Sequence, residues 1–248
     1  MLPVPTSVIQ RPEPPRFPVA LFTGLASVSP RRDLAWDCAT GRGAAAINLA
    51  AFFRLVVASD TRNEAIAAAT PHARVRYVVE RAERTSLAAS SVDLVVVAQA
   101  LHWLDVDAFY SEARRVLRPG GAIAVWSYGD CTVRSGIDAE LARTRARVEG
   151  HWGPQRDLVA SAHGTIPFPF AEVRMPRHHL LAVWTLPELL WHVRSWQATR
   201  AYLAERGDDA TEDLLAPLAR AWGDPQRRRP VAWPIHLRVG RSDEPPRG

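Results

Sequence analysis

The feature that most constrains the fold of this chain is an alternation, between residues 34 and 127, of short apolar runs with alanine-rich stretches of helical character. A run such as Leu94-Val95-Val96-Val97 suits a strand covered on both faces. Parallel strands also need a crossover of a dozen or more residues between them, which is the spacing found here. Strands are expected over 34–39, 55–59, 75–79, 92–98 and 122–126. Helices are expected over 44–53 and 63–69, the second stopping at Pro71, whose ring cannot continue it. Another should lie between the fourth and fifth strands, capped by Asp105, with Phe109, Ala113, Val116 and Leu117 on its apolar face and its end at Arg118-Pro119-Gly120-Gly121. The pattern predicts an α/β fold, a mostly parallel sheet with helices on both faces.

The chemistry concentrates where the first strand meets the first helix, at Asp37-Cys38-Ala39-Thr40-Gly41-Arg42-Gly43. Glycines there let the backbone turn tightly and approach a ligand, and a helix N-terminus offers free amide donors. Asp60 ends the second strand, 17 residues after Gly43. In an open parallel sheet that carboxylate falls beside the same crevice, where it can accept from both hydroxyls of a ribose. A nucleoside-containing ligand follows. The loop alone leaves the nucleoside open, because Gly41-Arg42-Gly43-Ala44-Ala45-Ala46 also satisfies the dinucleotide fingerprint and so admits a nicotinamide cofactor.

Beyond residue 128 the texture changes, since six of the nine tryptophans lie in 129–248. A charged helix is expected over 136–148, then a proline- and aromatic-rich loop over 152–170, a strand over 173–184, helices over 186–205 and 212–222, and a closing strand over 233–239. His178 and His179 would point to opposite sides of a strand, and His192 has tryptophan, not a second ligand, four residues on, so no metal site is expected. The expected partition is a proline-rich arm over 1–18, a nucleoside-binding core over 19–128, a part over 129–240 that completes the sheet and shapes an acceptor pocket as an aromatic-rich cap, and a flexible tail over 241–248.

Hydrophobic residues at 47% and charged residues at 23% describe an ordinary soluble globular protein. A net charge of +5 would raise nucleic-acid binding. The chain has no lysine, however, and its 31 basic residues are arginines scattered among 26 acidic ones, which is compositional bias rather than a groove for phosphates. Cys38 and Cys131 stand far apart and suggest neither a disulfide framework nor a zinc site. Prolines at positions 3, 5, 12, 14, 15 and 18 interrupt any signal-peptide core, and no apolar run is long enough to span a bilayer. A cytoplasmic location, with no membrane partner, is the expectation. Nothing in the sequence fixes an oligomeric state.

Taken in order, Asp37 before the turn, Ala82-Glu83 after the third strand, Gln99-Ala100-Leu101-His102-Trp103 after the fourth and Arg118-Pro119-Gly120-Gly121 entering the fifth resemble the signature series of class I methyltransferases dependent on S-adenosylmethionine (SAM). The resemblance covers about residues 16–240 and is strongest to the branch that includes trans-aconitate methyltransferase, through Pro14-Pro15-Arg16-Phe17-Pro18, Pro167-Phe168-Pro169-Phe170, Trp196 and Trp222-Gly223-Asp224-Pro225. It implies a Rossmann-like fold of seven strands, the last two a hairpin formed by 173–184 and 233–239. It also implies SAM as cofactor, with Ala39, Gly41 and Gly43 along its methionine part, Asp60 on its ribose, Ala82 and Glu83 flanking adenine, and Gln99 beside the methionine and sulfonium.

Two departures bear on donor binding. The family usually has glycine where this chain has Ala39, so an extra methyl group must be absorbed or must weaken SAM binding. The family's aromatic helical segment that closes over SAM is replaced by a proline-rich N-terminus. These departures motivate one rival reading, a noncatalytic descendant that binds a partner protein, and the loop motif motivates another, an NAD-dependent oxidoreductase.

Methyl transfer from a sulfonium is an in-line displacement that positioning and water exclusion can drive without a metal. A general base helps when the acceptor loses a proton as it attacks. His102, at the carboxyl end of the fourth strand, is the first candidate for that base, with packing on Trp103 its structural alternative; Tyr128 is the second. Trp103, Trp152, Arg156 and Trp196 are candidate walls or anchors for a small-molecule acceptor. The resemblance makes a carboxylate one such acceptor.

Overall fold

The computed structural model describes residues 11–153, 155–161, 163–207 and 209–242. The expected arm is therefore described from residue 11 and the expected tail as far as residue 242. The elements run α1 (Val19–Val28), β1 (Leu34–Cys38), α2 (Ala44–Leu49), β2 (Leu55–Asp60), α3 (Asn63–Ala67), β3 (Val75–Val79), β4 (Val92–Ala98), α4 (Val106–Val116) and β5 (Leu117–Tyr128). They continue with α5 (Ser135–Arg147), α6 (Gln155–Ala160), β6 (Ala171–Glu172), β7 (His178–Trp184), α7 (Leu186–Ser195), α8 (Gln197–Arg206), α9 (Asp209–Trp222) and β8 (Arg229–Arg241).

Two units are distinguishable. The sheet unit comprises Phe17–Gly129, Leu158–His178 and Ile235–Gly248; the helical unit comprises Met1–Arg16, Asp130–Asp157 and His179–Pro234. The sheet follows the order β3-β2-β1-β4-β5-β8-β6, seven strands, and β7 pairs with β8 as an addition to that path. The pairs among β1 to β5 are parallel, and β8 is antiparallel to both β5 and β6. The fold is the mostly parallel α/β arrangement expected.

Strand period explains how both faces are covered. Along β5, Ile123 and Val125 join the cluster that contains Phe109, Ala113 and Val116 of α4. The next residue, Trp126, points the other way and meets Phe22 of α1 edge-on at 6.3 Å, and Phe17 at 5.7 Å. Every residue from Leu94 to Val97 is fully buried, as a strand between two helical layers requires. Because β2 lies on one side of β1 and β4 on the other, the chain reverses direction across the sheet between β1 and β4, and a crevice opens at their carboxyl ends.

Several boundaries differ from expectation. The helix over 19–28 was not anticipated, since its apolar residues follow directly on the proline-rich segment; it supplies an aromatic helical entry, although its Phe22 is buried in the core. α4 ends at Val116 and β5 begins at Leu117, so Arg118-Pro119-Gly120-Gly121 follows the helix end as an irregular stretch within the strand, with Gly120 at φ 70°; Leu117 turns to ψ 136° shortly before Pro119, and the register shifts between Val92 and Leu94. Of the strand expected over 173–184 only the later part is strand, β7, while the short β6 ends just before that range; Pro176, whose nitrogen has no proton for a ladder, lies in the stretch that is not strand. The single helix expected over 186–205 breaks at Trp196, where ψ is 138°. Among the described residues no helix is long and apolar enough to cross a membrane.

Candidate active site

The crevice is a cavity of about 750 Å³ whose wall lies entirely in the sheet unit. Ala39, Thr40 and Gly41 come from the turn after β1, Asp60 and Arg62 from the end of β2, Ala82 and Glu83 from beyond β3, and Gln99, Ala100 and Trp103 from beyond β4. Six of the expected donor-binding residues are thus brought together. The other two stand just behind: Asp37 is fully buried on β1, and Gly43 is the residue preceding α2.

The turn is built from left-handed backbone. Ala39, Gly41 and Gly43 have φ of 54°, 59° and 85°. Gly43 is required twice over, because a Cβ added there would strike the ring and hydroxyl of Tyr77 as well as oppose its φ. Ala39 shows why glycine is usual at its position: an L side chain pays roughly 1 kcal/mol or more to sit in this region. The extra methyl group is absorbed by strain rather than by a filled cavity.

Two carboxylates fix the turn. Asp60 Oδ2 accepts from the Gly41 amide at 2.8 Å, and its Oδ1 accepts from the Arg62 amide at 2.9 Å and from Arg62 Nε at 3.3 Å. The side chain therefore points at the glycine bend. A carboxylate has about four acceptor positions. Three are in use, so one place is open to a ribose hydroxyl, and a second opens if the 69% exposed Arg62 side chain swings away. Asp37 Oδ2 accepts from the Thr40 hydroxyl at 2.5 Å, while its Oδ1 has no hydrogen-bond partner among the described residues. Burial is the main cause that raises its pKa from 3.8 to about 7. The Gly41 bend beside Asp60 lies on the cavity wall and fits the adenosyl part of SAM, while Asp37, buried behind Thr40 and facing the Ala46 amide, braces the turn from inside.

Beyond β3, Glu83 accepts from the Asp105 amide at 3.2 Å and from Arg81 Nε at 3.3 Å, and Asp105 caps α4 through Ala108 as expected. Gln99 also holds a strained backbone, φ 57°, at the end of β4. Its side-chain amide accepts from the Tyr128 amide at 3.0 Å and donates to the Tyr128 carbonyl at 2.8 Å. It pins the ends of β4 and β5 together, so the side chain is turned to the main chain rather than held out for a ligand. Trp103, an expected acceptor contact, lies on the same wall as the donor residues and is 65% exposed.

His102 sits in the 3-10 turn Leu101–Trp103, flanked by wall residues but not itself part of the wall. It is half-buried, packs against Trp103 with ring centres 5.1 Å apart, and burial lowers its basicity. Its Nδ1 is 3.2 Å from Nε2 of His163, a residue that no local pattern in the sequence marks. Tyr128 follows as the last residue of β5, its phenol acidity weakened by burial, and it too is absent from the cavity wall.

Trp152, Arg156 and Trp196 lie in the helical unit, where they form one cluster. Arg156 donates to both oxygens of Asp130 at 3.1 Å and stacks over Trp152 at 4.9 Å; Arg145 pairs with the same carboxylate and lies over Trp196. The two indoles are 6.0 Å apart. The guanidinium of Arg156 is already engaged, and the three residues are not in the donor cavity. His178 is buried and His179 exposed, on opposite sides of β7, and both cysteines are buried free thiols.

A parallel sheet with a glycine bend over its reversal point, and an acidic residue at the end of the neighbouring strand, defines an α/β enzyme that binds a nucleoside. The comparisons with known proteins identify which kind. Residues 36–125 match the methyltransferase domain family. A solved type II methyltransferase-family protein of Anaeromyxobacter dehalogenans is 39% identical, with a TM-score of 0.89 over 94% of this chain and 100% of that one. A methyltransferase-family protein of Dictyostelium discoideum is 28% identical over 86% of this chain and 84% of its own length. A malonyl-[acyl-carrier protein] O-methyltransferase of Dechloromonas aromatica is 35% identical over 55% of this chain and 49% of its own. The chain belongs to the class I SAM-dependent methyltransferases, with SAM as its methyl donor. That membership removes the oxidoreductase reading that the glycine loop left open.

Proposed function

We propose that this methyltransferase acts on a small molecule whose accepting atom sheds a proton during transfer, such as a hydroxyl or an amine. SAM supplies an electrophilic methyl group on a sulfonium whose sulfur leaves with the bonding electrons as a neutral thioether. In this reading Gly41 and Thr40 hold the methionine part, with Asp37 bracing the turn behind them, Asp60 orients the ribose, and Ala82 and Glu83 bracket the adenine. Trp103 covers the outer wall and shields it from water. Gln99 keeps the ends of β4 and β5 in place, and His102 takes the acceptor's proton.

The observation that carries the protic acceptor is a half-buried histidine beside the donor cavity, held neutral by its surroundings and therefore ready to accept a proton near neutral pH. A carboxylate acceptor is the second reading. It is supported by the malonyl relative, whose malonyl group offers a carboxylate oxygen, and by the sequence resemblance to trans-aconitate methyltransferase. Against it, the two arginines of the cavity wall are already paired, Arg62 with Asp60 and Arg81 with Glu83.

Incubation with methyl-labelled SAM and a metabolite extract separates the two. Methyl ethers and methylamines keep their label through mild base, whereas methyl esters release it as methanol. Base-stable label is the expected result, and base-labile label gives the function to the carboxylate reading.

A further inference from the structure

His163 is placed in a way that its surroundings do not demand for packing alone. Its φ is 57°, a region that a bulky L residue enters at a cost, and its side chain is nevertheless 2% exposed. Strain of this kind is retained where the rest of the structure holds a side chain for a purpose. The chain from Leu158 brings it there: the His163 amide donates to the Leu158 carbonyl at 2.8 Å, and the Ile166 amide donates to the His163 carbonyl at 3.0 Å. Its Nε2 then meets His102 Nδ1 at 3.2 Å, with the ring centres 5.4 Å apart.

We infer that His163 is a positioning residue that fixes His102 as its Nδ1–H tautomer, leaving the lone pair of His102 Nε2 to receive the proton of a protic acceptor. This rests on the reading of His102 as the proton acceptor. A hydrogen bond between two neutral imidazoles allows either ring to donate. Only one arrangement, however, survives the reaction unchanged. When the acceptor's heteroatom keeps the electrons of its X–H bond for the incoming methyl carbon, the proton moves to His102 Nε2, and the imidazolium formed carries N–H on both nitrogens. Its Nδ1–H must then donate to His163. If it already does so beforehand, no ring has to turn during transfer, which is what preorganisation means here.

His163 is suited to remain the acceptor throughout. The groups around it are His102 from the turn after β4 and His236 and Arg238 from β8. Burial, followed by the influence of His102, His236 and Arg238, lowers the basicity of His163 to about 4, so it stays neutral when His102 gains its charge. Arg238 is itself held by the Ile166 carbonyl at 2.9 Å and by Glu172 at 2.6 Å.

The test reads the ring nitrogens of His102 by two-bond proton–nitrogen spectra of histidine-labelled protein, at a pH above the histidine range, with His102→Gln to assign the signals. Wild-type protein is expected to show Nδ1 protonated and Nε2 bare. His163→Asn suits the left-handed backbone but is too short to reach, and should switch His102 to the Nε2–H form. His163→Gln places an amide oxygen near the position of Nε2 and should keep the wild-type form. Both variants should bind SAM within about tenfold of wild type by calorimetry. His102 protonated on Nε2 in the wild type, or no switch in His163→Asn, overturns the inference. So does a larger loss of SAM affinity in His163→Asn, which would make the pair part of the donor cavity. Failure of the wild type to bind SAM at all would instead strike the reading on which the inference rests.

Discussion

Ala39 is the residue whose cost is most open to measurement. Its methyl group sits at a φ of 54°, where glycine is free and alanine is not. Ala39→Gly should raise stability by about 1 kcal/mol in denaturant unfolding, the relief of strain exceeding the added freedom of the unfolded chain. If SAM binding also tightens greatly, the natural site is impaired, as the noncatalytic reading holds; the proposed function expects little change. Of the site, Asp37, Ala39, Gly41, Gly43 and Asp60 were legible because a strand, a tight turn and a helix N-terminus fall within a few residues and leave a local signature. Arg62, Thr40 and His163 were not. Arg62 and Thr40 matter through hydrogen bonds that only the folded turn creates, and His163 reaches His102 across 61 residues with no periodicity to mark it.

At the scale of elements, a buried carboxylate ties the amino end of β4 to its neighbours. Asp93 Oδ2 accepts from the amides of Asp33 and Leu34 at 2.8 and 2.9 Å, and its Oδ1 accepts from Arg118 at 2.7 Å. Asp93 is fully buried, so Asp93→Ala leaves the two amides without their acceptor and Arg118 with only Asp33 as its carboxylate partner, and should cost about 2 to 4 kcal/mol in a denaturant titration. This is the structural work of Arg118, in the segment read from the sequence as the passage from the helix end into the fifth strand.

Glu112 on α4 does a similar job for the loop before β4, accepting from Thr85 and Arg115. The Arg115 hydrogen bond leads the causes that lower its pKa from 4.5 to about 2. A depressed carboxyl stabilises the folded state fully above its unfolded value and loses that contribution as pH falls. Wild-type stability should therefore drop between about pH 4.5 and 2, and Glu112→Gln should flatten that part of the curve in thermal melts at stepped pH.

For the whole molecule, legibility followed distance along the chain. The alternation over 34–127 gave β1 to β5 and their order of appearance, because each strand and crossover is specified by its own residues. The sheet unit is not contiguous, however: it takes in 158–178 and the chain from 235 onward, and their long-range pairings carry no local period. The same distance explains why the strand expected over 173–184 begins only at His178 and why β8 is longer than its alternation suggested. Membership in the methyltransferase class was readable because its motifs lie in the contiguous half. The acceptor was not, because no motif in that series specifies its chemistry.

The account stands on SAM lying against the Gly41 bend and the Asp60 carboxylate, and titration calorimetry of wild type and Asp60→Asn with SAM tests this most directly. Asparagine keeps an oxygen for the Gly41 amide while removing the charge that a ribose hydroxyl would meet. Wild type should bind one SAM per chain, and the variant, still folded, should lose about 1.5 to 3 kcal/mol of that affinity. No binding by the wild type, or equal binding by both, would contradict it.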